Sequence, residues 1–446
     1  MQLAIWIGLC LAASVLLRTR IRVLLAAVLC LWILVPAVGS ALLTGVTSGP
    51  LSVHAATWLV LSIFVIRMLH DPWSVHEALA RQFFLFLTLA LVMVAAFLAS
   101  AMSSPGGGMV LLVDQIVVPG LFFLAVLSDA ARGEGVVALL RTVLLTLVAL
   151  ACVVAVMQWL TKRVLFYESA FSTQYWFDRD QERWMATLDQ PLALSLFICL
   201  TAPLLAGLRR RWLQLLLLAL MVMGILITQS RVGLVALAVT VVATVLFARW
   251  RTRVKAALLL VLAGAAGGLM ASPLVAGVAA RVADDTGSAQ ARGVALDYFL
   301  GRWGDYAVAG QGIGASYRLA VQAGLQTSFE NPTVMYSVDF GLLFALLYFG
   351  SMAALMLGAA LTAGPRIGYP GLVLAGVMAV VIPQTYSSLA TRSAAGILVW
   401  TVLSMVVAAA GEARKRAAQE RAAAGTASPA AAAVRRRGTL TAPGPG

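Results

Sequence analysis

Arginines and carboxylates are the side chains in this 446-residue chain best suited to chemistry, and few of them lie where chemistry could occur. Arg183, Arg231, Arg292 and Arg392 recur through its middle and end, with Asp114, Asp339 and Glu330 as carboxylates. A guanidinium fork neutralises phosphate oxygens. A carboxylate in a partly desolvated pocket can take a proton from a hydroxyl. Together they suit a reaction in which a sugar hydroxyl is activated while arginines stabilise a departing lipid diphosphate. His54, His70 and His76 lack metal-ligand spacing with each other or with cysteine. The run Gly310-x-Gly312-x-Gly314 follows no strand and is no dinucleotide fingerprint, and there is no Walker loop or nucleophile elbow. No cofactor and no metal are expected.

The elements that must hold these residues are lipid-soluble. The chain is 61% hydrophobic and 11% charged, where soluble domains carry roughly 25% charged residues. A helix needs about 20 apolar residues to cross a bilayer. About thirteen stretches meet that measure: 2–17, 23–43, 52–69, 82–102, 109–128, 136–160, 191–208, 212–229, 232–248, 256–280, 332–360, 369–388 and 393–410. The expected fold is an all-α, polytopic bundle of about 12–13 transmembrane helices with one large extracytoplasmic loop, since backbone in lipid must be paired within the chain. N-terminal helices (1–160) lead to a first excursion (161–190), central helices (191–280), the large loop (281–331), C-terminal helices (332–410) and a disordered basic tail (411–446). The first segment lacks a basic start and a cleavage site, and is read as a retained span. Cys10, Cys30, Cys152 and Cys199 all fall within spans, so no disulfide is expected.

Charge sets the orientation. Arg18, Arg20 and Arg22, then Arg209–Arg211, the 249–255 cluster, Arg366 and Arg414–Arg416 fall on one side if the spans alternate. The positive-inside rule makes that side cytoplasmic. The N-terminus is then outside, the tail inside and the 281–331 loop extracytoplasmic, in a bacterial plasma membrane. The net charge of +14 is juxtamembrane and not gathered on a soluble face, which argues against nucleic acid as a partner. Membrane lipids are partners, and the tail with Arg435–Arg437 is suited to anionic headgroups.

Within this frame Asp114 and Asp339 lie roughly 10 Å below the outer surface, at 1.5 Å per residue. Arg231 caps the outer end of a span and Arg392 follows one on the same side. Arg292, Leu296, Phe299 and Trp303 share one face of an expected loop helix that the glycine run must end. The first excursion interleaves aromatics with Arg179 and Arg183, as an interfacial belt or as a platform for sugars or lipid heads. Plainer roles stand beside these. Asp114 and Asp339 suit helix caps or partners for nearby arginines, Arg231 suits snorkelling to headgroups, and Arg292 suits a solvated helix face. Asn331 before Pro332 is an N-cap pattern whatever else it does.

The order Thr228-Gln229-Ser230-Arg231-Val232-Gly233, a large outer loop with an arginine opening a helix, Gly310-Gln311-Gly312-Ile313-Gly314, then Asn331 ahead of Gly341-Leu342-Leu343, resembles the O-antigen ligase and polymerase superfamily. Arg183-Trp184-Met185 through Gln190-Pro191-Leu192-Ala193 is similar to that family's segment after its earlier outer loop. The resemblance covers roughly residues 160–410. It implies metal-independent transfer of a glycan from undecaprenyl diphosphate to an acceptor hydroxyl on the outer face. Arg231 and Arg292 would hold the diphosphate. The family usually has a histidine immediately before the asparagine; here that place is Glu330, a carboxylate suited to activating the acceptor. The donor partner is then a polyprenyl-diphosphate-linked glycan, and the acceptor a glycan or glycolipid of the cell envelope. Three other readings stay open. A transporter or flippase of lipid-linked glycans predicts midplane charges and broken helices. A polyprenyl-monophosphate-sugar glycosyltransferase predicts acidic residues in the first outer loop, which 45–54 lacks. A non-catalytic scaffold is the last.

Overall fold

The computed structural model describes residues 1–103, 108–172, 183–247, 286–325 and 328–426, with isolated positions at 252, 253, 256 and 264. The span expected at 256–280, the first residues of the large loop, the aromatic stretch 173–182 and the tail from 427 lie outside these residues. Among the described residues all regular structure is helical, without a strand. Six helices among the described residues are long and apolar enough to cross a membrane, and up to eight if two bent pairs each count as one span. The protein is a multi-pass, all-α membrane protein.

The first helices are α1 (Gln2–Leu16), α2 (Ile21–Leu34) and the short α3 (Ala41–Thr44). Then come α4 (Ala55–His70), α5 (Pro72–Arg81) and α6 (Phe83–Ser103). α7 (Gly108–Leu112) runs through a π-helical turn, Val113–Val117, into α8 (Val118–Arg132). α9 (Val136–Thr161) and the one-turn α10 (Glu168–Phe171) precede α11 (Pro191–Thr201), α12 (Arg211–Thr228) and α13 (Arg231–Phe247). The loop region holds α14 (Thr286–Leu300) and α15 (Ala315–Gln322); α16 (Pro332–Phe340), α17 (Leu342–Ala363), α18 (Leu372–Val381) and α19 (Ala395–Thr426) complete the chain.

Several hydrophobic runs that read as single spans are broken, so among the described residues fewer long helices form than the runs suggest. The chain bends by 96° between α2 and the Ala37–Thr44 piece, and by 108° between α4 and α5. Pro36 and Pro72 stand at these bends, each lacking an N–H and forcing its predecessor out of helical geometry. The run 332–360 breaks at Gly341, whose φ is +109. Among the long apolar helices described, α19 is the most enclosed, its apolar part almost wholly buried. It packs on α8, where the Phe123 ring meets Trp400 edge-on at 5.3 Å. The Trp400 indole N–H donates to the Tyr348 hydroxyl at 3.1 Å, satisfying a polar edge in an apolar core.

The glycine run is a docking element and not a phosphate cradle. Three of its N–H groups are already used: Gln311 donates to Val338 O at 2.8 Å, Gly312 to Asp339 O at 2.9 Å and Ile313 to the Ser100 hydroxyl at 3.0 Å. Gly310 lies directly on the α16–α17 break, where a β-carbon would collide with the Asp339 carbonyl and the Phe340 nitrogen. At Gly341 a β-carbon would meet the Val308 carbonyl in the same contact. Gly310→Ala should therefore destabilise the protein by about 1–3 kcal/mol, as overpacking does. Thermal unfolding in detergent checks this, and a change confined to the exposed Gly304 should have little effect.

At the opposite end of the bundle, acidic groups meet the juxtamembrane arginines. Arg22 pairs with Asp129 at 2.9 Å, Arg132 pairs with Asp71, and Arg416 reaches Glu134 at 3.7 Å and Glu412 at 3.3 Å. Asp114 and Asp129 stand about 22 Å apart along one helix, so the two polar groups mark its two ends. The tail is not disordered from 411: α19 continues to Thr426, through Ala, Glu, Lys and Arg residues that all favour helix.

Candidate functional site

Between α18 and α19 the chain leaves α-helical geometry for two short 3-10 turns, Ile382–Thr385 and Ser387–Ala390. Non-helical backbone in an apolar bundle must find partners elsewhere. Here they come from many directions. Gln384 O accepts from the Asn331 amide at 3.0 Å, and the Gln384 side-chain oxygen accepts from Thr333 at 2.6 Å. Leu389 O accepts from Tyr336 at 2.5 Å and Ala390 O from Tyr317 at 3.0 Å. The Tyr386 hydroxyl lies 3.2 Å from Ser195 Oγ and 3.0 Å from Ser230 Oγ. This strip joins the regions that carry the candidate residues.

At one end of the strip is a buried cluster. The π turn points Asp114 and Gln115 inward together. Gln115 clasps the start of α19, donating to Ser393 O at 2.7 Å and accepting from Gly396 N–H at 3.0 Å. Asp114 receives the His54 N–H at 3.0 and 3.1 Å and the Thr57 hydroxyl at 2.7 Å. Arg392 lies 4.0 Å from Asp114 and donates to Ser52 O at 2.5 Å. Sequence reading placed Asp114 and Arg392 on the same side, and the fold brings them into one ion pair. Asp189, not singled out beforehand, belongs here too: it accepts the Ala37 N–H at 2.6 Å, just past the Pro36 bend.

At the other end is an exposed pair. Arg292 on α14 meets Glu330 at 3.0 Å, across 38 residues of chain. Tyr298 on the same helix packs its ring 5.9 Å from Phe329, which sets α14 against the segment carrying Glu330. Glu330 itself has φ +52, a left-handed conformation uncommon for a residue with a side chain and kept where the surroundings support it. Asn331 is the N-cap of α16, as its sequence context implied, accepting the Val334 N–H at 3.1 Å. The expected loop helix is present, but it ends at Leu300, before Trp303, and its face is mixed: Phe299 is buried, whereas Leu296 is about half exposed.

Arg183 and Arg231 flank a third feature, the turn between α12 and α13. Arg183 donates to Thr228 O at 3.1 Å, and Arg231 is the first residue of α13. Gln229 between them is left-handed at φ +53. Ser230 caps this start by accepting the Gly233 N–H at 3.1 Å while reaching Tyr386. Asp339 stands apart from these groups. It is fully buried and accepts the Ser316 N–H at 2.8 Å, so it holds the glycine loop to α16 and faces no open surface. The structure thus joins Arg292 with Glu330 and Asp114 with Arg392, and sets Arg183 and Arg231 about one turn. It links the three through the strip.

Asp189, Tyr386 and Gln384 escaped sequence reading. The available signal was a polar run, Gln384-Thr385-Tyr386-Ser387-Ser388, at the end of an otherwise apolar stretch. The chain matches no protein-family model and no curated protein sequence.

Burial pushes the Asp189 carboxyl up from 3.8 to about 7, against the Ala37 N–H and Arg392, which favour its charged form. The fold therefore favours the protonated group. Its contribution to stability is fully present below the unfolded value of 3.8 and is lost as pH rises through about 7. Unfolding midpoints measured in detergent from about pH 4 to about pH 8 should fall more in the native protein than in Asp189→Asn. Equal slopes in the two proteins would contradict this.

Proposed function

We propose that the protein is an extracytoplasmic glycan transferase, a ligase or polymerase using a polyprenyl-diphosphate-linked donor. The observation that carries this reading is the Arg292–Glu330 pair at 3.0 Å, in which the two residues best suited to the chemistry meet on an accessible surface. Asn331 is tied to the same strip that reaches Ser230 and the Arg231 turn. Arginine-rich ends near the Arg22, Arg132 and Arg416 pairs are taken as cytoplasmic under the positive-inside rule, and the site end as outside. The resemblance to the O-antigen ligase and polymerase superfamily supports the same direction.

In this mechanism the lipid tail stays in the membrane while Arg292, with Arg231 and Arg183, neutralises the diphosphate. Arg292 cannot serve the donor and Glu330 equally, so donor binding frees the carboxylate. Glu330 then accepts the acceptor hydroxyl proton as the new oxygen–carbon bond forms at the sugar. The bond to the diphosphate breaks, and the leaving group keeps its electron pair and later regains a proton. Arg392 and Asp114 brace the strip from beneath. Changing Arg292 to Gln or Glu330 to Gln should reduce glycan transfer in cells at least 100-fold, with membrane insertion intact. Unaltered glycan length and attachment in both variants would remove the basis for the reading.

A second reading, transport of lipid-linked glycans, is favoured by one observation: the 96° and 108° bends, with the break at Gly341, resemble the discontinuous helices of transporters. It predicts movement of the donor across a bilayer without chemical change.

A further inference from the structure

The segment after α14 carries large apolar side chains that stay exposed outside any span. Leu300 ends α14 at 56% exposure, Trp303 opens the next 3-10 turn at 54%, and Val308 follows at 63%. A single exposed apolar residue is ordinary, but three this close together form a patch. The other side of the segment is packed. Phe299 and Tyr306 are buried and stack on each other, with ring centroids 6.2 Å apart. The segment is thus a folded layer with an apolar interior and a second apolar edge outside.

Two hydrogen bonds fix the level of this layer along the bundle. The Leu343 N–H, in the first turn of α17, donates to Ala307 O at 3.1 Å. The 22 residues of α17 make about 33 Å of helix, against a hydrocarbon core of about 30 Å. Such a helix crosses the core once, so Leu343 and the backbone bound to it lie at a membrane surface. On the other side, the Ile313 N–H donates to the Ser100 hydroxyl of α6 at 3.0 Å. α6 is also long enough to cross, and Ser100 stands about 26 Å along it from Phe83. Two separate spans therefore give the same level, the boundary between hydrocarbon and water. What lies beside the layer there follows from α17. That helix is mostly unburied along its apolar length, and Leu343 and Leu346 are about half exposed, as a row facing lipid should be. Val308 adjoins the start of this helix, its carbonyl packed against Gly341.

We infer that the Leu300–Val308 segment is seated in the membrane interface, with Leu300, Trp303 and Val308 in contact with lipid. Tryptophan favours this level, where its ring meets acyl chains and its N–H meets headgroups. Arg302 beside it lies 4.7 Å over the Tyr298 ring and donates to that hydroxyl at 2.9 Å. A cation is thereby held at the level of lipid phosphates. The seat pins the end of α14, and Arg292 stands about 12 Å from that end along the helix. The loop helix is presented at the bilayer surface. The seat does not depend on glycan transfer and serves a transporter equally.

Photo-crosslinking in the full-length protein tests this assignment. Benzoylphenylalanine replaces Trp303, Val308, Leu346 or Glu420 singly, in phosphatidylcholine nanodiscs, and mass spectrometry reads the adducts. Leu346 on α17 calibrates contact with lipid, and Glu420, exposed near the charged end of α19, calibrates contact with water. Lipid adducts at Trp303 should approach the yield at Leu346 and exceed that at Glu420 about tenfold or more. A lipid yield at Trp303 no higher than at Glu420, or cross-links there only to other parts of this chain, would overturn the proposal. If the Trp303 variant fails to fold, Val308 decides by the same comparison.

Discussion

Breaking a helix in apolar surroundings frees backbone groups that water cannot satisfy, and each must find a partner inside the protein. That constraint organises this structure. At the Pro36 bend, Val35 O receives the His54 ring N–H and Ala37 N–H goes to Asp189. The connector before α11 is held from both sides by Gln158, which donates to Ala186 O and accepts from Ala186 N–H, each at 2.9 Å. At the start of α19, Gln115 plays the same double part. In each case a polar side chain from one segment reaches across to hold opened backbone in another.

The candidate site follows from where these breaks gather. The Pro36 bend, the connector before α11 and the start of α19 lie at the end of the bundle opposite the Arg22, Arg132 and Arg416 ion pairs, whereas the Pro72 bend adjoins the Asp71–Arg132 pair. The Gln384–Arg392 strip then ties one break to the next. Left-handed backbone at Ala186, Gln229 and Glu330 falls in the same connectors, with φ of +60, +53 and +52. Such conformations persist where the surroundings over-determine them, as rigid substrate-binding elements require. A site assembled from helix ends keeps its arginines near a surface while a lipid-soluble scaffold surrounds them. That geometry suits a substrate with a charged head and a membrane-embedded tail.

Helicity and membrane residence were legible in the sequence, because runs of apolar residues report them directly. A helix around Arg292 was legible, though the common face read from its spacing did not form and Trp303 lies beyond its end; the Asn331 cap was legible through its Pro332 neighbour. The breaks were not. A hydropathy window averages over Pro36, Gly341 and the polar Gln384–Ser388 run, so broken helices read as continuous spans. The π turn at Asp114 has no residue-type signature at all. Asp189 looked like part of a connector, since nothing local announces that it will be drawn under α2. The pairing of Arg292 with Glu330 depends on α14 folding back against Phe329, a tertiary fact. The helical stretch from 411 to 426 was not legible, because an Ala- and charge-rich segment with no apolar face can extend a helix already anchored by its neighbours.

The central claim is that this end of the bundle performs chemistry on a lipid-linked glycan. Purified protein reconstituted in vesicles with a polyprenyl-diphosphate-linked oligosaccharide and a glycan acceptor tests it most directly. The account predicts a lengthened or newly attached glycan together with free polyprenyl diphosphate in equal amount. Recovery of the donor chemically intact, whether or not it has crossed the bilayer, would contradict it.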